Sequence, residues 1–315
     1  MARRRTVLTG AMGGVAASVC GTARAATAEI VPLWPGDAPG GEGVTVTPRF
    51  VPRSASSGPE DIEHYGIRRP TLGIVRPERS NGHALLVIPG GSYQRVASHA
   101  GGGPLARFLA ARGFTVGTLL YRLPYDGWAA GPDAPLQDAQ RALRLLRHRA
   151  GSGMRTSVLG FSAGGHLAGR LATRFASPAY AAADAVDAQP LRPDFAGLFY
   201  PVVTMTAPNG HAPSRGNLLG AAPDARAIAD WSLEQRLVAD MPPTFVTAAA
   251  DDTVVPVENS LMLFDALRDR RVPCALHIFD VGGHAFGNPG DASGPGRFWP
   301  DLFQDWLFRQ KPVSP

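Results

Sequence analysis

The chain has 315 residues, 44% apolar and 18% charged, which is enough for one large core and too apolar for a disordered protein. Its 37 Gly and 29 Pro follow no collagen-like period and read as loops. Without Arg3, Arg4, Arg5 and Arg24 the net charge of +5 falls to +1, and the remaining arginines alternate with acids, so no nucleic-acid footprint is expected.

Residues 1–28 have the layout of an export signal: a basic start at Arg3-Arg4-Arg5, a short, mildly apolar stretch over 6–19, and A-x-A cleavage sites at 23–25 and 26–28. Arg4-Arg5-Thr6-Val7-Leu8 resembles the twin-arginine motif, and a periplasmic or extracellular product is expected. No run of about 18 apolar residues lies beyond this segment, so no membrane span is expected. Cleavage removes Cys20 and leaves Cys274, so residues 29–315 are expected to fold as one domain on core packing without an internal disulfide.

Residues 29–62 are rich in Pro and Gly and read as an extended lead-in. Segments 65–67 and 72–75 are expected to pair antiparallel at a sheet edge. Strand and helix signals then alternate. Residues 84–88 form an apolar run stopped by Pro89-Gly90-Gly91, a buried strand. Pro104 opens a helix over 105–112, and Gly113 stops it. A strand over 114–121 is followed by a helix over 136–149 with Leu136, Ala139, Leu143 and Leu146 on one side. Then come a strand at 157–160, a helix over 163–175, and strands at 195–203 and 244–248. A helix over 258–270 has Leu261, Phe264 and Leu267 as its apolar face, residues 274–279 form a last, buried strand that packs the Cys274 thiol, and an amphipathic helix closes the chain over 298–310. The alternation predicts an α/β fold with a mostly parallel central sheet covered by helices on both faces. Residues 204–240 interrupt it and read as an excursion over one end of the sheet, either a cover for a substrate site or a plain surface loop.

Gly160-Phe161-Ser162-Ala163-Gly164 matches G-x-S-x-G between a strand and a helix, where a sharp turn exposes the serine hydroxyl at the end of the sheet. A serine hydroxyl needs a base. Of the eight histidines, His284 is best placed, in the Gly-rich loop 282–287 after the last strand. His166 lies on the helix after Ser162 and reads as structural. His277 lies within a strand, and His64, His83, His99, His148 and His211 show no supporting pattern. The carboxylate that orients the base is sought after the strand at 244–248, where Asp252 is preferred to Asp251 because it opens D-x-x-V-P. The order Ser, Asp, His belongs to one hydrolase fold and to neither the chymotrypsin nor the subtilisin type. Backbone N–H groups of Gly91 and Ser92, after the strand at 84–88, and of Ala163 are the expected donors to a tetrahedral oxyanion. No metal-ligand spacing and no phosphate-binding loop is present, so no cofactor is expected. Trp128, Trp231 and Trp299 could stack on sugar rings, with core packing the preferred role for each.

The stretches IPGGSY (88–93), YRLP (121–124), APLQDAQRALRLLR (134–147), GFSAGGHLA (160–168), DDTVVPVENS (251–260) and GGHAFG (282–287) resemble the α/β-hydrolase superfamily, and within it the branch of bacterial acetyl-xylan-esterase-like enzymes. The resemblance implies Ser162 as nucleophile, Asp252 as acid, His284 as base, Gly91 and Ala163 at the oxyanion, and an ester substrate, often an acetylated plant carbohydrate. Pro89 stands where many lipase-like relatives carry His, and Ser92 replaces a third glycine, which makes a hormone-sensitive-lipase type less apt. A general carboxylesterase or feruloyl-type esterase is the alternative. A non-catalytic carbohydrate-binding protein on the same scaffold would be expected to lack one of Ser162, Asp252 and His284, and none is lacking.

Overall fold

The computed structural model describes residues 28–53, 61–97, 102–287 and 294–310; the export segment expected over 1–28 lies outside them up to residue 27, as does His99. In chain order the elements are β1 (Glu29–Pro32), β2 (Arg49–Pro52), β3 (Ile62–Tyr65), β4 (Thr71–Val75), β5 (His83–Ile88), β6 (Val96–Ala97), α1 (Gly103–Ala111), β7 (Thr115–Leu120), α2 (Ala134–Ala150), β8 (Arg155–Phe161), α3 (Ala163–Thr173), β9 (Ala196–Phe199), α4 (Ala212–Leu219), α5 (Ala225–Trp231), β10 (Thr244–Ala249), α6 (Glu258–Asp269), β11 (Cys274–Phe279) and α7 (Trp299–Arg309).

Eight strands form the main sheet in the order β1-β4-β7-β5-β8-β9-β10-β11. From β7 to β11 every neighbour is parallel, and only the pairs β1–β4 and β4–β7 are antiparallel. The continuous apolar run of β5 follows from burial on both faces. Ala84, Leu86 and Ile88 enter the core beneath α2, α3 and α6, whereas Leu85 and Val87 enter the core beneath α1 and α7. Leu136, Ala139, Leu143 and Leu146 of α2 are wholly buried, as their spacing predicts.

The structure corrects four sequence-based expectations. Segment 72–75 pairs with β1 and β7, while Tyr65 belongs to a separate sheet in the order β2-β3-β6. The lead-in therefore contains strands whose short, Pro-flanked sequences carry little periodicity. The buried side of α6 is Asn259, Ser260, Leu263 and Leu267, with Leu261 43% exposed, because Asn259 turns inward to hydrogen-bond neighbouring loops. Finally, β11 is the sheet's last strand and only half-buried, so Cys274 is half-exposed.

One buried feature carries no sequence signature of its own. Arg122 and Asp138 form an ion pair with both side chains fully buried. The Asp138 carboxylate accepts from Trp34 Nε1 (2.9 Å), the Arg122 amide (2.8 Å) and Arg122 Nε (3.0 Å). The guanidinium also donates to Pro39 O and Gln137 Oε1. It ties the lead-in, the segment after β7 and the start of α2 together.

Candidate active site

Five neighbouring parallel strands, β5, β8, β9, β10 and β11, end on the same side of the sheet. Their following residues supply Gly91, Ser162, Tyr200, Asp252 and His284. Such carboxyl ends are where open α/β sheets bind ligands.

Ser162 sits between β8 and α3 with φ 57° and ψ −121°, a region that costs a non-glycine residue about 1–3 kcal/mol. Its amide donates to Phe199 O, and its carbonyl accepts from the amides of Gly165, His166 and Val202. The flanking glycines have a steric cause. A Cβ on Gly160 would lie 2.3 Å from Gly164 O, and one on Gly164 would lie 2.2 Å from Ile88 O. Only two residues without side chains let the turn, β5 and α3 approach this closely.

His284 Nε2 lies 2.9 Å from Ser162 Oγ, and His284 Nδ1 lies 2.7 Å from Asp252 Oδ2. The other oxygen of Asp252 accepts from the amides of Val254 (2.9 Å) and Val255 (3.0 Å). Burial would by itself push the Asp252 carboxyl up; the hydrogen bonds from His284 and the two amides outweigh it and hold the pKa below the usual carboxylate value. The side chain is fully buried, and that of His284 is 18% exposed. Asp251 has a different place. Its carboxylate accepts from the amides of Gly283 (2.7 Å) and Gly282 (3.2 Å), which anchors the loop that carries His284.

Gly90 lies against Ser162, for a Cβ there would be 3.0 Å from Ser162 Cβ. Tyr121 of the YRLP stretch donates to Pro89 O (2.9 Å) and fixes the start of the same loop. Among the described residues the amides of Gly91, Ser92 and Ala163 have no acceptor. Ala163 opens α3, so its N–H also lies at the positive end of a helix.

Sequence reasoning missed Tyr200. It is buried at φ 37°, its amide donates to Thr247 O, and its ring lies edge-on to the His284 imidazole at 4.9 Å. The sequence placed it inside the strand expected at 195–203, whereas β9 ends at Phe199 and leaves Tyr200 in the turn after it. The other described histidines do not reach Ser162. His166 is buried and bonded elsewhere, His277 stacks on Phe245, His64 and His83 are buried, His148 is exposed on α2, and His211 bonds to Ser214.

A cavity of about 530 Å³ opens over Ser162 and His284. Its lining mixes the aromatic side chains of Phe161, Tyr200, Phe286 and Trp299 with the charged Arg53, Asp61 and Arg95. None of the described residues between 204 and 240 lines it. Trp299 is thus both core and cavity wall, Trp128 is buried, and Trp231 packs under Arg170. Among the described residues no group of three or more His, Cys, Asp or Glu could hold a metal ion, and no helix is long and apolar enough to cross a membrane.

Residues 72–267, more than half of the chain, match the family model described as BD-FAE. The chain belongs to the BD-FAE family. Two curated relatives are similar to this BD-FAE chain. Endo-1,4-beta-xylanase B of Butyrivibrio fibrisolvens is 36% identical over 209 residues, 64% of the chain and 32% of the relative. Acetylxylan esterase of Xylanibacter ruminicola is 30% identical over 219 residues, 67% of the chain and 42% of the relative. The alignments thus span less than half the length of each relative. Among solved structures, an acetyl ester-xyloside bifunctional hydrolase from Caldicellulosiruptor lactoaceticus superposes with a TM-score of 0.71 at 31% identity, over 91% of the chain and 98% of that structure. The fold is that of the α/β-hydrolases.

Proposed function

We propose that this BD-FAE chain is a serine esterase that hydrolyses acetyl or similar short acyl esters on carbohydrates, exported by the segment at 1–28. One observation carries the reading: an unbroken hydrogen-bonded path from Ser162 through His284 to the buried Asp252, with three unpartnered amides beside the serine. Asp252 keeps the His284 Nδ1 proton in place, which leaves Nε2 free to take the proton of Ser162 as Oγ attacks the ester carbonyl. The carbonyl oxygen becomes an oxyanion that the amides of Gly91, Ser92 and Ala163 receive. Collapse breaks the bond to the sugar oxygen, which leaves with the proton from His284 and gives an acyl-enzyme. Water then attacks the acyl carbon while His284 removes its proton; the bond to Ser162 Oγ breaks, Oγ takes the proton back from His284, and the acid is released. No step calls for a cofactor.

The carbohydrate part is supported by the names of the relatives and of the similar structure, and by charged side chains in the cavity lining. A feruloyl-type or general carboxylesterase is the second reading. A cavity of about 530 Å³ with four aromatic side chains in its lining has room for an aromatic acyl group. Acetate and ferulate release from acetylated xylan, feruloylated oligosaccharides and a small aryl acetate, with Ser162→Ala as control, tests both. Acetate release from the glycan that is lost in Ser162→Ala is the expected result. Hydrolysis of the aryl acetate alone would remove the carbohydrate assignment, and ferulate release alone would favour the second reading.

A further inference from the structure

The segment between β9 and β10 breaks the strand–helix alternation yet lines none of the cavity among its described residues. It reaches two consecutive residues of the loop after β5, Ser92 directly and Tyr93 through His166. Asn217 of α4 donates from Nδ2 to Ser92 O at 3.0 Å. Tyr93 and Trp231, the last residue of α5, are joined through His166: Tyr93 Oη lies 2.8 Å from His166 Nδ1, and His166 Nε2 lies 2.7 Å from Trp231 O. A carbonyl only accepts, so Nε2 carries the proton, and Nδ1 accepts from the Tyr93 hydroxyl. The imidazole is completely buried, which holds it neutral. Arg170, one turn along α3, clamps the same end of α5 by donating to Asp230 O (2.8 Å) and lying over the Trp231 ring.

These contacts fall where the loop needs them. Gly91, Ser92 and Tyr93 have φ of 131°, 58° and 58°. Two non-glycine residues in the left-handed region persist only where the surroundings over-determine them. The backbone bonds of the loop, from the amides of Gln94 and Arg95 to Gly91 O, leave Ser92 O and the Tyr93 side chain to be fixed from outside. We infer that Asn217 and His166 are positioning residues, through which the segment 204–240 braces the loop so that the Gly91 and Ser92 amides face the developing oxyanion. Neither residue lines the cavity, so both act through Ser92 and Tyr93. The inference rests on the serine-esterase reading.

The test uses the full chain and the variant Asn217→Ala, a half-buried helix position whose loss leaves the core intact, with Tyr93→Phe as the second variant. Three readouts are taken: kcat and KM for an aryl acetate, the same for its thionoester, and the rate of Ser162 labelling by a fluorophosphonate. A sulfur anion accepts hydrogen bonds poorly, so the thionoester reports the site without its oxyanion donors. Both variants are expected to lower kcat on the oxygen ester by about tenfold or more at nearly unchanged KM, to lower it less than twofold on the thionoester, and to slow labelling, at melting temperatures close to the parent's. Equal losses on the two esters, or an unchanged kcat, would overturn the bracing role. If the parent chain does not label at Ser162 at all, the esterase reading itself fails and the inference falls with it.

Discussion

Replacing Asp138 by asparagine keeps the shape of the side chain and removes the charge that Arg122 faces. Both side chains are fully buried, and the carboxylate receives the Trp34 indole, the Arg122 amide and the Arg122 guanidinium. Asparagine can accept with one oxygen only, and its NH₂ group is turned towards donors. The guanidinium keeps Pro39 O and Gln137 Oε1, which are neutral, so a buried positive charge is left without its counter-charge. Breaking one side of a buried pair costs about 3–5 kcal/mol. With about 2–3 °C lost per kcal/mol in a chain of this size, the melting temperature is expected to drop by roughly 6–15 °C. Trp34→Phe removes one neutral donor and leaves the pair intact, so it should lower stability by only about 1 kcal/mol, or 2–3 °C. Circular-dichroism melts of the three proteins at neutral pH make the comparison. A shift below 2 °C for Asp138→Asn, or one equal to that of Trp34→Phe, would refute the claim that the charge pair is what holds the lead-in to α2.

Three further outcomes follow from the site. Asp252→Asn is expected to lower kcat by about 10³–10⁴-fold through loss of the His284 tautomer, whereas Asp251→Asn, which loosens only the anchor of Gly282 and Gly283, should lower it about three- to tenfold; similar losses from the two variants in steady-state assays would exchange or merge their roles. His166 is buried and takes a proton only near pH about 3, against 6.5 for an unfolded histidine, so between these values the unfolded chain binds more protons and stability falls as the pH drops. Each pH unit in that window should remove up to about 1.4 kcal/mol, and His166→Gln, which does not titrate, should give a shallower dependence of melting temperature on pH; parallel curves would count against the buried neutral imidazole. Gly164→Ala places a Cβ 2.2 Å from Ile88 O and 2.4 Å from Pro89 O, so it should separate α3 from β5 and yield little folded protein, and a normal melt at parental yield would contradict the steric account of the turn.

What the sequence made legible divides along physical lines. The parallel strands were legible because burial on both faces demands apolar runs such as Ala84–Ile88, and the turn at Ser162 because two glycines are forced by close approach. The edge was not, because β1, β2 and β3 have four residues each, too few to show a period. The face of α6 was misread because Asn259 is buried for its hydrogen bonds: its Oδ1 accepts from Val203 and its Nδ2 donates to Asn209 O and Pro256 O. A hydrophobic stripe cannot report a polar residue that the fold needs inside. The choice between Asp251 and Asp252 rested on D-x-x-V-P, and the structure gives that pattern a meaning, since the amides of Val254 and Val255 are the ones that bind the Asp252 carboxylate. Tyr200 and the partners of His166 depend on contacts between residues tens of positions apart, which one sequence does not display.

The described non-glycine residues with positive φ are Ser92, Tyr93, Ser162, Tyr200, Arg271 and Ala285. All but Arg271 stand in the turns that follow β5, β8, β9 and β11, around one cavity. Each such residue costs about 1–3 kcal/mol, so the concentration needs compensation nearby. The compensation is visible as bonds from outside the turns after β5, β9 and β11: Tyr121 to Pro89, Asn217 to Ser92, Asp251 to Gly283, and Asn259 to Val203 and Thr204. These donors and acceptors lie on α4, α6 and the segments after β7 and β10, whose own conformations are fixed by the two cores. The strain at the site is therefore offset by bonds from elements that the two cores hold in place, which is what amides would need in order to stabilise a developing charge without reorganising. This also accounts for a segment such as 204–240 lying beside the cavity without lining it: through Asn217 and His166 it reaches Ser92 O and the Tyr93 hydroxyl, where it acts on the geometry of the loop and not on the substrate.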